Sequence, residues 1–430
     1  MASVAEQLGG PPGLRPLAGA LQVRRVTERR LPRWPELRPY LRTQPLRRSA
    51  VVRRLAGAAD IGDLRAIARR HTPRAVFDYV DGAAESESSL RRSREAFGRV
   101  EFVPSVLRDV AAVDPSTTIL GQRAALPLIF APTGFTRLMH HAGEPAVARV
   151  AARTGIPYVL STMGTTSPED VAAAAPDAKR WFQLYLWRDR DASIALIERA
   201  RAAGFTALML TVDTPVAGAR LRDVRNGFSI PPALTVKTLA DIALHPGWWF
   251  DKLTTEPLTF ASMGAWNGTI AEMIDKMFDP TLDLDDLAWL RGIWPGPLLV
   301  KGIQTVDDAR AVVDVGVEGL VVSNHGGRQL DRAPVPLEGL PGIVDAVGDR
   351  AEVFVDGGIM NGGDVVAAVA IGARACLVGR AYLYGLMAGG EAGVQRAADL
   401  LGREIVRTMA LLGVTDIAGL TRERVRLRER

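Results

Sequence analysis

From about residue 127 onward, short apolar runs alternate with longer stretches whose apolar residues recur every three or four positions. The short runs are typical of buried parallel strands, and the longer stretches are typical of amphipathic helices. This rhythm predicts eight strands with helices between most of them. The predicted strands span residues 127–131, 158–161, 181–186, 207–212, 298–300, 319–322, 353–355 and 375–378.

Eight strand-and-helix units predict an α/β fold in which the sheet closes into a TIM (β/α)8 barrel. An open, doubly wound sheet is the alternative on pattern alone. Its glycine-rich dinucleotide fingerprint is missing, because the first strand ends in Ala131-Pro132-Thr133-Gly134. Ahead of the barrel, an N-terminal helical segment is predicted, with one helix from Ile61, capped by Asp60, and a second opened by Pro73.

One connection breaks this rhythm. After strand 4, an insertion of about residues 216–297 is far longer than an ordinary crossover. An insertion at this rim is typical of a lid, a partner surface or a membrane contact. The aromatic stretch Trp248-Trp249-Phe250 within it fits such a contact, and it fits equally well packing against the outside of the barrel.

Composition narrows the class of protein. The chain has 430 residues, of which 47% are hydrophobic, and this suits one large domain with additions. Cys376 is the single cysteine, so an intramolecular disulfide is excluded and a reducing cytosol is favoured. The sequence has no uncharged apolar run of about 18 residues, and its N-terminus lacks the layout of a signal peptide. We therefore expect a cytoplasmic location.

Positive charge is concentrated near the N-terminus. Residues 1–54 contain twelve arginines and three acidic residues, whereas the formal charge of the whole chain is +5. Residues 1–55 are also rich in Pro and Gly, so we predict a flexible basic extension there and the barrel domain over residues 56–430. Such an arm could bind nucleic acid, although anionic lipid or an acidic partner is as plausible. Peripheral contact with the inner leaflet of the cell membrane is therefore one expectation, and no nucleic-acid partner is expected.

The predicted strands end in polar residues. In a barrel of this kind, the carboxyl ends of the strands form one ring where the reaction takes place. Eight polar endings around one mouth are hard to explain by packing and predict an active site. In chain order they are Thr133-Gly134, Ser161-Thr162, Gln183 with Tyr185, Thr211 with Asp213, Lys301, His325 with Arg328, Asp356-Gly357-Gly358, and Gly379-Arg380.

The sixth ending places a proton acceptor, His325, three residues before a candidate carboxylate clamp, Arg328. Asp213 is a candidate to orient that imidazole and to stabilise it after proton uptake. Arg220 is a candidate for a second clamp, since arginine can grip a carboxylate with two hydrogen bonds. A generally basic loop explains Arg220 as well.

The last two endings are typical of a phosphate site, which barrels commonly place after strands seven and eight. Glycines there let backbone N–H groups approach an anion, and Arg380 adds positive charge. Lys301 could neutralise negative charge on a bound cofactor ring, or it could pair with a carboxylate at the mouth. No metal is expected.

Over roughly residues 60–415, these residues resemble the FMN-dependent L-2-hydroxy acid oxidase and dehydrogenase family. The most specific piece is Ser323-Asn324-His325-Gly326-Gly327-Arg328-Gln329-Leu330-Asp331. Stretches around residues 135–140, 187–189, 223–232 and 382–393 look most like the bacterial quinone-linked L-lactate dehydrogenases, particularly the actinobacterial type. The resemblance implies oxidation of L-lactate to pyruvate, FMN as cofactor, a quinone as electron acceptor and a homo-oligomer, commonly a tetramer.

The resemblance also implies a role for each site residue. His325 would take a proton from the substrate, with Asp213 as its orienting partner. The substrate's carboxylate and other polar groups would be held by Arg220, Arg328, Tyr79 and Tyr185. The flavin would contact Pro132, Thr133, Gly134, Ser161, Gln183, Thr211, Lys301 and Ser323, and its phosphate would meet Asp356, Gly357, Gly358, Gly379 and Arg380.

Departures from the family's pattern remain, and so do several alternatives. Met360 stands where many relatives carry an arginine in the phosphate motif, and Met163 stands where some carry a tryptophan near the substrate. Other functions are also compatible with the sequence. The same oxidation could act on mandelate or glycolate in place of L-lactate, or could use O₂ as the electron acceptor. A flavin-dependent barrel that modifies a peptide or an isoprenoid would not need the arginine pair. A basic barrel that binds nucleic acid without catalysis would not need His325 or Asp213.

Overall fold

In the computed structural model, eight parallel strands form a closed barrel in which neighbours along the chain are neighbours in the sheet. The structure describes residues 31, 33–38, 49–227, 236–256, 258 and 278–428. The eighth strand closes the barrel on the first through the pair Cys376–Leu128. The TIM-barrel prediction is confirmed. Barrel strands 1 to 8 are Leu128–Phe130, Tyr158–Ser161, Arg180–Leu184, Ala207–Thr211, Leu298–Ile303, Gly319–Val322, Glu352–Val355 and Ala375–Val378.

Helices cover the outside of the barrel, because each has an apolar face that packs on the strands. The helix of Gly362–Ile371 is buried along its whole length, which explains why almost all of its side chains are apolar. The final helical stretch is interrupted at Gly389 and Gly390, whose backbone angles are not helical. The covering helices are Thr136–Met139, Gly143–Thr154, Pro168–Ala174, Arg190–Ala202, Leu284–Ile293, Val306–Asp314, Pro336–Val347, Gly362–Ile371 and Arg380–Leu412.

The helical segment ahead of the barrel has more helices than the sequence predicted. Helix Ile61–His71 begins as expected, with the Asp60 side chain accepting the N–H of Asp63 at 2.7 Å. The second predicted helix is Arg74–Asp81, directly after Pro73. Helices Ala50–Ala56 and Ser88–Gly98 were not predicted.

The chain divides into two compact units, residues 1–47 and 48–430. In the first unit, the described residues include one short helix, Trp34–Leu37. Most of the predicted basic extension lies outside the described residues, so the boundary after residue 55 stays a prediction.

Two small sheets outside the barrel were also missed. The hairpin Thr117–Ile119 and Gln122–Ala124 covers the amino end of the barrel, where Ile119 joins the inner core that contains Trp181. The other sheet pairs Val100–Phe102 with Val425–Leu427 in antiparallel register. The second sheet joins segments that are distant in the chain, and every strand of the two sheets has only three residues. A strand this short shows almost no alternation of apolar and polar residues.

Part of the insertion after strand 4 is described. It contains helices Leu221–Arg225, Val236–Ala243 and Pro246–Leu253 ahead of Leu284–Ile293. Trp248 packs against the barrel and donates its indole N–H to the carbonyl of Leu138 at 3.0 Å, whereas Phe250 is 58% exposed. Packing therefore explains Trp248 but not Phe250. In the part of the chain that the structure describes, no helix combines the length and apolar character needed to cross a membrane.

Candidate active site

His325 and Asp213 meet at the mouth of the barrel. Nδ1 of His325 lies 2.9 Å from Oδ1 of Asp213, and the side chain of Asp213 is only 3% exposed. His325 adopts a left-handed backbone conformation, with φ of 58°, just beyond strand 6. The backbone N–H of His325 donates to Oγ of Ser323 at 3.0 Å, which helps to hold this unusual turn. The predicted orienting partner is therefore in hydrogen-bond contact.

The charges around this pair favour a neutral imidazole beside an ionised carboxylate. Burial lowers the pKa of His325; the charge of Asp213 opposes that shift, and Lys301 adds to it. Burial by itself raises the pKa of Asp213, but His325 and Lys301 outweigh burial and hold it below its usual value. With Nδ1–H assigned as the donor to Asp213, Nε2 is the proton acceptor.

Tyr79 brings the two candidate clamps together. The guanidinium of Arg328 lies 4.9 Å from the centroid of the Tyr79 ring, and that of Arg220 lies 5.9 Å from the same centroid. Burial and the charge of Arg220 lower the pKa of Arg328 to about 9, so it is still a cation at neutral pH. Within the described residues, Nε of Arg220 is buried and has no hydrogen-bond partner. Two close cations and an unused N–H favour a bound anion.

The structure separates Arg220 from the basic loop around it. Arg222 forms ion pairs with Asp81 at 2.9 Å and with Glu87 at 2.5 Å. Arg225 is exposed to solvent. Of the three arginines, Arg220 therefore has the environment expected of a substrate clamp.

Tyr185 lies in the same region. Its hydroxyl interacts electrostatically with Asp213, Arg220, Tyr79 and Arg328, and burial raises its pKa well above the usual value. Its ring packs edge-on against Phe278 at 5.6 Å. The structure thus gathers the predicted substrate-binding residues at one place.

Lys301 is a buried cation at the centre of the mouth. Its Nζ lies 2.9 Å from Oγ of Ser323 and 3.1 Å from Oδ2 of Asp356. Burial alone lowers the pKa of Lys301, but Asp356 and Asp213 raise it more, so the ammonium stays charged. Pairing with a carboxylate and a role toward a cofactor are compatible, because Asp356 leaves further N–H groups of the ammonium to be used.

The residues predicted to contact the flavin include a buried donor that no described residue uses. Oε1 of Gln183 accepts from Oγ of Ser161 at 2.9 Å, while Nε2 of Gln183 is buried and makes no hydrogen bond to any described residue. A buried donor of this kind is costly unless a ligand accepts from it. Thr133 is held by Tyr382 at 2.6 Å between hydroxyl oxygens, and Thr211 pairs with Lys301 across strands 4 and 5. The residues present therefore fit a flavin.

The predicted phosphate site is only partly assembled. Gly357 and Gly358 have φ of 85° and 84°, so their backbone adopts the conformation expected of a glycine cradle. The guanidinium of Arg380 donates to the carbonyls of Val80 at 2.9 Å, Gly326 at 2.9 Å and Gly82 at 2.7 Å. In this structure it joins the helical segment to the His325 loop. Its contact with phosphate stays a prediction.

Asn324 and Asp331 shape the loop that carries His325. Both belong to the motif of residues 323–331, but the sequence alone assigned them no role. Asn324 accepts the N–H of Gly327 at 3.1 Å and donates to the carbonyl of Pro334 at 3.1 Å. Asp331 accepts the N–H of Ser89 at 2.8 Å and so ties the loop to the helical segment. Their position within the motif was the available signal. The partners of Asn324 are local, whereas Ser89, the partner of Asp331, is remote in sequence.

A second cluster lies nearby, where His140, His141 and Asp251 place ligand-type atoms within 4.8 Å of one another. Nδ1 of His140 accepts the backbone N–H of Ala142 at 3.2 Å. In the neutral ring, its Nε2 then carries the proton and cannot bind a metal. The cluster is better explained by the contact of Nδ1 of His141 with Oδ2 of Asp251 at 2.9 Å.

Comparison with known proteins agrees with this geometry. Residues 68–427 match the FMN-dependent dehydrogenase family. A Mycobacterium tuberculosis protein named "Putative L-lactate dehydrogenase" is 58% identical over 396 residues, which are 92% of this chain and 96% of that protein. An L-lactate oxidase of Nostoc is 42% identical over 354 residues, covering 82% of this chain and 93% of the oxidase.

A solved structure is also similar. The crystal structure of a monotopic membrane protein, (S)-mandelate dehydrogenase, superposes with a TM-score of 0.83 at 37% identity. The match covers 86% of this chain and all of the other. These relatives share a type of reaction, while their names differ in the substrate and in whether the protein is a dehydrogenase or an oxidase.

Proposed function

The chain belongs to the FMN-dependent dehydrogenase family, and we propose that within it the protein oxidises L-lactate to pyruvate and passes the electrons to a quinone. The observation that carries the chemistry is the buried His325–Asp213 pair beside two clustered arginines. L-Lactate as substrate is supported by the relative at 58% identity, the Mycobacterium tuberculosis protein named "Putative L-lactate dehydrogenase".

Substrate binding is assigned to the side chains around Tyr79. Arg220 would bind the carboxylate of L-lactate with its unused Nε–H, and Arg328 would add the second positive charge. Tyr79 and Tyr185 would donate hydrogen bonds to the remaining oxygens of the substrate. This arrangement orients the carbon that carries the hydroxyl group toward His325.

Proton transfer is assigned to His325. Nε2 takes a proton from the substrate, and the resulting imidazolium is stabilised by Asp213 at 2.9 Å. FMN, when bound, would supply the acceptor for the two electrons and the second hydrogen that leave the substrate. The ammonium of Lys301 would stabilise negative charge that develops on the cofactor side of the mouth.

The cofactor would be held by residues from most of the strand ends. Gln183 would donate its unused Nε2–H to a polar atom of the flavin ring. Pro132, Thr133, Gly134, Ser161, Thr211 and Ser323 would complete the contacts with the ring and its side chain. Asp356, Gly357, Gly358, Gly379 and Arg380 would lie nearest the phosphate.

The substrate is tested with the holoenzyme under anaerobic conditions. We expect L-lactate to bleach the flavin absorbance faster than L-mandelate or glycolate at equal concentration. Faster bleaching by L-mandelate or glycolate would show that this acid, and not L-lactate, is the preferred substrate. The type of reaction would be unchanged. Absence of bleaching by all three would overturn the proposed chemistry.

A quinone is proposed as acceptor because of the surface that the insertion presents. Leu244, Phe250 and Leu253 are 78%, 58% and 77% exposed beside the barrel mouth, as expected of residues that touch a lipid surface. The arginine-rich N-terminus would add attraction to anionic lipid. A peripheral position on the cytoplasmic face of the membrane would bring the site close to a membrane quinone.

O₂ is the rival acceptor, because an L-lactate oxidase is among the relatives. Reoxidation of the reduced enzyme by a soluble quinone is expected to be much faster than reoxidation by air-saturated buffer. The opposite order would make the protein an oxidase. The role of the basic N-terminal arm is tested by measuring binding to anionic vesicles. The full chain is compared with a chain that lacks residues 1–50, and equal binding would exclude a role of the arm in lipid binding.

A further inference from the structure

Gln329 connects the loop of the proposed base with the loop of its carboxylate. Its side chain is 8% exposed. Nε2 donates to the carbonyls of Asp213 at 3.1 Å and Val216 at 2.8 Å, and Oε1 accepts the N–H of Gly218 at 3.2 Å. One amide side chain therefore uses both donors and its acceptor on a single short loop.

The backbones of the two loops also touch. A β-carbon at Gly218 would lie 2.3 Å from the carbonyl oxygen of Arg328 and 2.8 Å from Cα of Gln329. The two loops can approach this closely only because position 218 has no side chain. The hydrogen bonds of the Gln329 side-chain amide lie at this contact, so they determine how the two loops are aligned.

Of the two carboxylate oxygens of Asp213, only one is bonded to another side chain in the described part of the chain. Oδ1 contacts His325, whereas Oδ2 is buried and has no hydrogen-bond partner in the described part of the chain. Its placement therefore depends on the backbone of its own loop.

We infer that Gln329 is a positioning residue for this reaction: it holds the Asp213 loop so that the carboxylate meets Nδ1 of His325. The inference rests on the proposed function, in which His325 is the base. Gln329 itself touches neither the substrate nor the transferred proton. It acts through Asp213.

Gln329→Met tests the inference, because methionine keeps the length of the side chain and removes all three hydrogen bonds. We expect kcat/KM for L-lactate to fall about 100-fold, as for a displacement of about 1 Å at a reacting group. We also expect the acidic limb of the kcat/KM profile to move to lower pH, because the carboxylate that raises the pKa of His325 moves away. Activity within about threefold of the parent, or a limb that does not move down, would overturn the inference.

Matched variants separate positioning from a general loss of structure. Gln304→Met removes a buried amide oxygen that bonds to no described residue, and it should leave activity and the pH profile unchanged. If Gln329→Met does not fold, Gln329→Glu serves instead, since it loses both donors and keeps the acceptor for Gly218. The same fall in kcat/KM is expected of it.

A double-mutant cycle provides the decisive readout. In an Asp213→Asn background, Gln329→Met should cost less than about threefold further, because the group through which it acts has already been changed. A full additional loss would show that Gln329 does not act through Asp213. His325→Gln is measured in parallel: if that variant turns over normally, the proposed function fails; if it is inactive while Gln329→Met is normal, only the present inference fails.

Discussion

Gly302 lies against Asp213 so closely that a β-carbon at position 302 would stand 2.7 Å from the β-carbon of Asp213. Gly302 has φ of 113°, and the register of strand 5 against strand 6 shifts at this point. The irregularity in the strand thus makes room for the carboxylate that contacts His325. Through Gly302, the path of barrel strand 5 therefore affects the placement of Asp213 and, through that carboxylate, the orientation of His325.

Gly302→Ala should therefore damage both catalysis and stability. The added methyl group displaces Asp213, and we expect kcat/KM to fall by about 100-fold. The positive φ should cost about 1–3 kcal/mol in the free energy of unfolding. Gly339→Ala is the control, since a β-carbon there meets no atom within 4 Å. Equal activity of the two variants would contradict the coupling.

His325→Gln should abolish most turnover without loss of the flavin. Removal of a general base typically costs about 10²–10⁴-fold in rate, and glutamine has no group that accepts a proton at neutral pH. Steady-state turnover and the absorbance of bound FMN test this together. His141→Gln, which changes a histidine paired with Asp251, is the matched control and should keep normal turnover.

The pH dependence of kcat/KM should show an acidic limb below pH 6.5. Burial lowers the pKa of His325 from its usual 6.5, and the neutral form is the active one, so activity rises with pH through the lowered value and is complete near neutrality. For the same reason, the contribution of this group to stability is present above pH 6.5 and is lost as the pH falls through the lowered pKa. A limb above pH 6.5 would mean that a different group titrates.

Lys301→Met should destabilise the protein, because it leaves Asp356 buried without its cation. Breaking a buried ion pair typically costs about 3–5 kcal/mol in the free energy of unfolding. The double change Lys301→Met with Asp356→Asn should recover much of that loss, since no charge is then left alone. Urea unfolding of the three proteins measures it. Without recovery in the double variant, the 3.1 Å ion pair would not be the cause.

Arg220→Lys should raise KM for L-lactate by roughly tenfold or more, with a smaller change in kcat, because an ammonium cannot form the paired hydrogen bonds of a guanidinium. Arg225→Lys alters an exposed arginine of the same loop and should leave KM unchanged. Equal effects of the two changes would favour general attraction by a basic loop over a specific clamp.

Much of the fold could be predicted because its signals are local. All eight barrel strands were found within a few residues, since a buried parallel strand is a short apolar run bounded by polar residues. Asp60 was recognised as a helix cap for the same reason, because its partner is three residues away. The helix Ser88–Gly98 was missed, since its buried positions include Ser89 and Ser93 and so lack an apolar pattern.

Many of the candidate site residues could also be named from the sequence, because the carboxyl ends of barrel strands meet at one mouth whatever the details of packing. The sequence could name His325, Asp213, Arg220 and Arg328 as candidates on chemistry alone. It left open whether Arg220 was a clamp or part of a basic loop. The ion pairs of Arg222 and the buried, unpartnered Nε of Arg220 distinguish the two, and both depend on residues far away in the chain.

The sequence by itself thus determined the barrel, the order of its strands and the residue types at its mouth. The tertiary structure decided which atoms meet. The contact of His325 with Asp213 spans 112 residues, and the three bonds of Gln329 join two loops that no periodicity connects. Hydrophobic periodicity reports on burial along one segment, whereas a hydrogen bond between loops requires both backbones to be placed within a few tenths of an ångström, and only the packed barrel does that.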